Sequence, residues 1–194
     1  MTDHVYVGLV RGINVGTAHA VSMTDFRAVF ETLGFTSVGT LLRSGNVVFV
    51  SGRRLTAADT AAIEAEFERV AGFAAGFVIL AAEQFETITA ENPLLEVGTD
   101  PSKLVVAYVP PTPDARAALA SKDLVLPDPD ALLPEILTVG PNAVYNWCPN
   151  GISKSKVPAS FWRQLGITYT ARNVNTVEKL RAMVHERSNV GGGS

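Results

Sequence analysis

The sequence holds one cysteine, Cys148, so no internal disulfide can form. A reducing, cytoplasmic setting is the simplest expectation. Long apolar runs are missing as well. The longest, 71–82, contains two glycines and is too short to cross a bilayer, so it reads as loop and strand and no membrane partner is expected. No basic segment followed by an apolar one opens the chain, so no secretory leader is expected. His4, His19 and His185 are scattered, and none has a carboxylate or cysteine at a useful spacing. That argues against a hydrolytic triad and against zinc. No acidic pair stands beside the polar loops described below, which argues against a two-metal centre. No cofactor is expected.

The 194 residues are 47% hydrophobic, enough for a core in one domain or two small ones. The net charge of −3 is unevenly spread. Residues 1–54 hold five Arg against three acids; residues 55–135 hold four Lys/Arg against fourteen acids; residues 136–194 hold seven against two. The basic ends suit an anionic ligand, while the total argues against a protein dedicated to duplex nucleic acid.

Hydrophobic spacing predicts the elements. Val5 to Val10 reads as a strand, and Phe26, Val29, Phe30 and Leu33 fall on one face of a helix capped by Ser22. Strands at 38–42 and 47–50 flank Arg43-Ser44-Gly45-Asn46, a turn with two residues that tolerate positive φ. A helix starting near Thr56 and a strand at 77–80 complete a β-α-β-β-α-β order, the ferredoxin-like split βαβ unit. A helix at 83–90 and a linker to 102 follow. The order then repeats: a strand at 103–109, a helix begun by Thr112-Pro113, a hairpin of 134–139 with 143–147, a helix at 159–165 and a strand near 167–170. A last helix over 176–186 is predicted with Asn175 as cap, and the acidic stretch 123–130 as a surface loop. The expected architecture is α+β: a ferredoxin-like subdomain over 1–82, a second over 103–187 with a C-terminal helix, and a flexible tail at 188–194.

In the split βαβ unit the first and third strands are antiparallel neighbours. That brings Arg11-Gly12-Ile13-Asn14-Val15-Gly16 beside Arg43 to Asn46, so Arg11, Asn14, Ser44 and Asn46 converge. In the second unit the same rule gathers Lys154, Lys156, Arg172 and Asn173 near Lys103. Asn150-Gly151-Ile152-Ser153-Lys154-Ser155-Lys156 shares only Lys-Ser with a nucleotide-binding P-loop, but it can present amides and charge to an anion. Each of these residues also has a plain structural reading. Arg11 can form a salt bridge, Asn14 and Asn46 can serve their turns, and 150–156 can be a solvated turn.

Five blocks carry a resemblance. They are Val10-Arg11-Gly12-Ile13-Asn14-Val15-Gly16, Arg43-Ser44-Gly45-Asn46-Val47-Val48-Phe49, Asn92-Pro93-Leu94, Cys148-Pro149-Asn150-Gly151 with Ser155-Lys156, and Arg172-Asn173-Val174-Asn175-Thr176-Val177. In this order they resemble the bacterial domain of unknown function 1697 family. The resemblance implies two ferredoxin-like subdomains and supplies no reaction. Thr17, Arg43, Ser153 and Val174 stand where that family usually has glycine, glutamine, glycine and tryptophan.

The leading expectation is a binding protein for a small anionic ligand, phosphate-bearing or a nucleotide. Arg11, Lys154, Lys156 and Arg172 would neutralise charge; Asn14, Ser44, Asn46 and Asn173 would orient the ligand. The alternatives are an enzyme of unassigned reaction at the same cleft, single-stranded nucleic acid bound on sheet aromatics such as Tyr6 and Phe49, and a structural or partner-binding module.

Overall fold

The β-branched run His4–Val10 forms strand β1, buried without interruption from Tyr6 onward, as a strand enclosed on both faces must be. It runs through the middle of the first sheet. The computed structural model describes residues 3–14 and 19–190. Gly16, Thr17 and the tail 191–194 lie outside the described residues.

The chain continues through α1 (Met23–Thr32), β2 (Thr36–Leu41), β3 (Asn46–Ser51), α2 (Ala57–Ala71), β4 (Phe77–Ala81) and α3 (Ala82–Ala90). The first antiparallel sheet has the order β2-β3-β1-β4. Ser22 Oγ caps α1 by accepting from Asp25 N–H at 3.0 Å. The Asp59 carboxylate accepts from both the N–H and the hydroxyl of Thr56 at the start of α2. Phe26 and Phe30 of α1 and Phe67 of α2 pack on Phe49 and Phe77 of the sheet, with Phe30 and Phe49 centroids 5.0 Å apart. Tyr6 belongs to this core, and its hydroxyl accepts from Leu55 N–H at 2.9 Å. Tyr6 and Phe49 are therefore core residues, not platforms for stacked bases.

The second half runs β5 (Leu104–Tyr108), α4 (Pro113–Leu119), α5 (Pro129–Leu132), β6 (Ile136–Val139), β7 (Ala143–Trp147), a 3-10 turn (Ile152–Lys154), α6 (Ala159–Gln164), β8 (Thr170–Asn173) and α7 (Val174–Val190). The second antiparallel sheet has the order β6-β7-β5-β8. Ala107, Val109 and Val144 pack against Ala115 and Leu119 of the α4 helix and Phe161 of the α6 helix. The mixed α+β architecture thus contains two four-stranded antiparallel sheets. Contacts divide the chain into two compact units, one of residues up to Phe85 together with Lys179 onward, the other Glu86–Glu178.

Three sequence expectations shift. The last strand begins at Thr170, not 167, because Tyr108↔Thr170 through Val105↔Asn173 is the paired register. Its residues are polar, and Ile167 and Tyr169 instead pack on the core, with Tyr169 stacked on Trp162 at 4.6 Å. The final helix starts two residues early and continues to Val190, and its cap is Asn173, not Asn175. Asn173 Oδ1 accepts from Thr176 N–H at 3.0 Å and from its hydroxyl at 2.9 Å. The acidic loop contains a helical turn, the α5 segment, with Asp128 as cap and Pro129 as its first residue.

Candidate functional site

The pairing Leu9↔Asn46 sets the end of β1 against the start of β3. Val10 N–H donates to Gly45 O at 3.0 Å, so the two polar loops of the first unit do meet. Asn14 joins them. Its backbone is left-handed, with φ of +55°, a region Asn tolerates better than most residues. Its side-chain amide donates to Arg43 O at 2.8 Å and to Val21 O at 3.1 Å, and its carbonyl accepts from Val21 N–H at 3.0 Å. Asn46 is wholly buried and donates to Leu41 O at 2.9 Å and Ser44 Oγ at 3.0 Å. The structural reading therefore holds for both asparagines: they fix the loops. Arg11, Arg43 and Ser44 face solvent.

In the second unit Lys154 is exposed at the end of the 3-10 turn. Lys156 is committed locally, its ammonium donating to Leu133 O at 2.7 Å. Arg172 is only 9% exposed and donates to Thr170 Oγ1 and Ala171 O, each at 2.7 Å. Burial pushes its pKa down to about 10, opposed by the nearby Tyr108, and it remains protonated at neutral pH. Asn173 caps the last helix. Cys148 N–H donates to Lys103 O at 2.9 Å and Asn173 Nδ2 to Ser102 O at 3.4 Å, so the start of β5 lies beside the ends of β7 and β8.

The residue that organises this loop is Glu135, which the sequence reading passed over. Its carboxylate is buried and accepts from Asn146 Nδ2 at 2.6 Å, Ser155 Oγ at 2.5 Å, Cys148 Sγ at 3.5 Å and Lys156 N–H at 2.6 Å. Burial alone would raise its pKa; the hydrogen bonds outweigh it and hold the group below the usual glutamate value. Glu135 thus takes the Ser155 hydroxyl and the Lys156 N–H, two of the donors that 150–156 was expected to offer an anion. A signal existed. The hairpin drawn through 134–139 and 143–147 pairs Ile136 with Trp147, so it sets residue 135 beside Cys148.

A protein-family model describing a protein of unknown function, DUF1697, matches residues 3–135. The chain belongs to the DUF1697 family. It is also similar to a solved structure, the conserved bacterial protein SP0830 from Streptococcus pneumoniae, with 27% identity and a TM-score of 0.68 over 94% of this chain and 99% of that one. No curated protein matches the chain.

Among the described residues of this DUF1697 protein, no helix is long and apolar enough to cross a membrane. Cys148 is buried and has its thiol pKa pushed up to about 12 by burial first and the Glu135 charge second. Native Cys148 is therefore expected to react with a thiol reagent at pH 8 about three orders of magnitude more slowly than the unfolded chain, from the lost thiolate fraction. Stopped-flow labelling with and without denaturant measures this; similar rates would show an accessible, ionised thiol.

Proposed function

We propose that this protein binds a small, phosphate-bearing anion at the paired loops 11–14 and 43–46 of its first unit. Arg11 and Arg43 supply charge and Ser44 a hydroxyl. The observation that carries this reading is the Asn14 side chain, which bonds Arg43 O at 2.8 Å and so holds two exposed arginines on adjoining, preset loops. Guanidinium pairs on fixed backbone suit phosphate oxygens, because the donors need little ordering on binding. Asn14 and Asn46 act by shaping the backbone of these loops. The recurrence of one element order, with strand orders β2-β3-β1-β4 and β6-β7-β5-β8, supports a tandem ferredoxin-like duplication as the frame for these loops.

Thermal melts with pyrophosphate, ATP and a sugar phosphate test the reading. A ligand at 100 times its dissociation constant stabilises by about 2.7 kcal/mol, on the order of 5–10 °C for a chain of this size. Arg11→Ala and Arg43→Ala are each expected to weaken binding ~10-fold or more, as loss of a charge-assisted hydrogen bond does. If none of the three ligands moves the melt of the wild-type chain, the proposal fails.

A further inference from the structure

The first unit contains a pocket of about 350 Å³ at the end of β3 remote from the 43–46 loop. That volume falls within the roughly 300–1,000 Å³ that small-molecule sites occupy. Leu33, Phe35 and Ala62 supply apolar lining, and Ser51, Arg53 and Asp59 supply polar lining. Leu33 and Phe35 are partly buried, packed against the core while also lining the pocket.

Arg53 is fixed at its backbone and at its tip. Its N–H donates to Ser51 Oγ at 3.3 Å, and its carbonyl accepts from the Ser51 hydroxyl at 2.8 Å. Its guanidinium donates to both oxygens of Asp59, from Nη1 at 2.9 Å and from Nη2 at 2.5 Å. Nη1 also donates to Arg54 O at 3.1 Å. Asp59 in turn accepts from the N–H and the hydroxyl of Thr56. The Arg53 hydrogen bonds hold the Asp59 carboxyl well below the usual carboxylate range, so the clamp persists at neutral pH. Among the described residues, the Nε–H and the second Nη2 N–H of Arg53 have no acceptor. These two donors lie along one edge of the guanidinium, a fork that matches the two oxygens of a carboxylate.

We propose that this pocket binds a small carboxylic acid with an apolar body, an aryl or branched-chain acid. The carboxylate takes the open edge of Arg53, and the body covers Leu33 and Phe35. Two features select a monocarboxylate over a phosphate. The Arg53–Asp59 pair carries no net charge, and a dianion would meet the Asp59 carboxylate at short range. The apolar lining rewards burial of a hydrocarbon body, which phosphate lacks. A guanidinium already clamped also loses little freedom on binding. The pocket is separate from the paired loops 11–14 and 43–46, so either reading can fail without the other.

Titration of the isotope-labelled chain with phenylacetate, followed by amide NMR shifts, tests this. Phenylacetate is expected to move the amides of residues 33–35 and 51–53, with a dissociation constant on the order of 1 mM or tighter. Phenethyl alcohol, which lacks the carboxylate, and acetate, which lacks the ring, are each expected to bind about tenfold more weakly or worse. Arg53→Lys keeps a charge beside Asp59 but loses the fork, and is expected to weaken phenylacetate about tenfold or more. Ala62 is exposed on α2, so Ala62→Leu puts a larger side chain, itself a strong helix former, at the pocket. That variant is expected to abolish binding with its melt near wild type. Phenylacetate that leaves these amides unmoved overturns the proposal. So does the alcohol or inorganic phosphate binding there as tightly, or either variant binding phenylacetate like the wild type.

Discussion

Replacing Glu135 with alanine is expected to destabilise the protein by roughly 3 kcal/mol, from the donors left without an acceptor. That corresponds to a fall in melting temperature of about 6–12 °C for a chain of this length. Asn146 Nδ2, Ser155 Oγ and Lys156 N–H all lose the same partner, and Asn146 is buried at 3% exposure, where water cannot replace it. Glu135→Gln keeps the shape but turns an amide NH2 toward one of these donors, so an intermediate loss is expected. The pH dependence has a definite sign. The folded pKa of Glu135 lies below its ordinary value of 4.5, so its contribution is fully present above that pH and is lost as pH falls through the folded pKa. In Glu135→Gln this acid-side loss should shrink. Cys148 gives a second readout, because its thiol is raised partly by the Glu135 charge and should label faster in the glutamine variant. An alanine variant that melts within a degree or two of wild type would mean that the carboxylate does not hold the loop.

Gly45→Ala is expected to cost roughly 2–5 kcal/mol, adding a left-handed alanine to an overpacked core. Gly45 has φ of +77°, and a β-carbon there would overlap Val10 Cγ1 and lie 2.9 Å from Ile13 Cδ1. Val10 is β-branched with little rotamer freedom, and Ile13 is 2% exposed, so neither can withdraw easily. The strain falls on the junction of the two arginine-bearing loops. Pyrophosphate stabilisation should therefore weaken along with the melt. Gly12→Ala, at a similar φ of +74° but with nothing within 4 Å of its β-carbon, isolates the backbone part and should cost less. Equal melts for the two variants would remove the packing argument.

The meeting of the loops was legible because it needs only the antiparallel pairing of first and third strands and a hydrophobic period of two. The direction of each side chain was not. Asn14 and Asn46 satisfy backbone groups inside the turns, a choice made by the exact path of the chain through positive φ. Glu135 escaped because periodicity records apolar residues, and a buried acid is visible only once its donors, up to 21 residues away in the chain, are folded around it. The last strand was misplaced for a related reason. Thr170 and Arg172 are buried polar residues, and Arg172 is accommodated through bonds to its own strand that hydropathy does not record.

The first unit is discontinuous in sequence, and this has a consequence for its synthesis on the ribosome. Strand β2 lies at the edge of its sheet and bulges between Thr36 and Gly39. The carbonyl of Ser37 is bonded by Arg187 Nε at 2.7 Å, and Met183 and Arg187 fill the space over Gly39. These two residues emerge about 150 positions after the strand that they cover. At 5–20 residues per second the edge waits roughly 8–30 seconds for its cover. An unpaired edge invites pairing with another chain. The nascent protein therefore passes through an interval in which its earliest sheet depends on its latest helix, and a chain cut short before residue 183 would keep that edge open permanently.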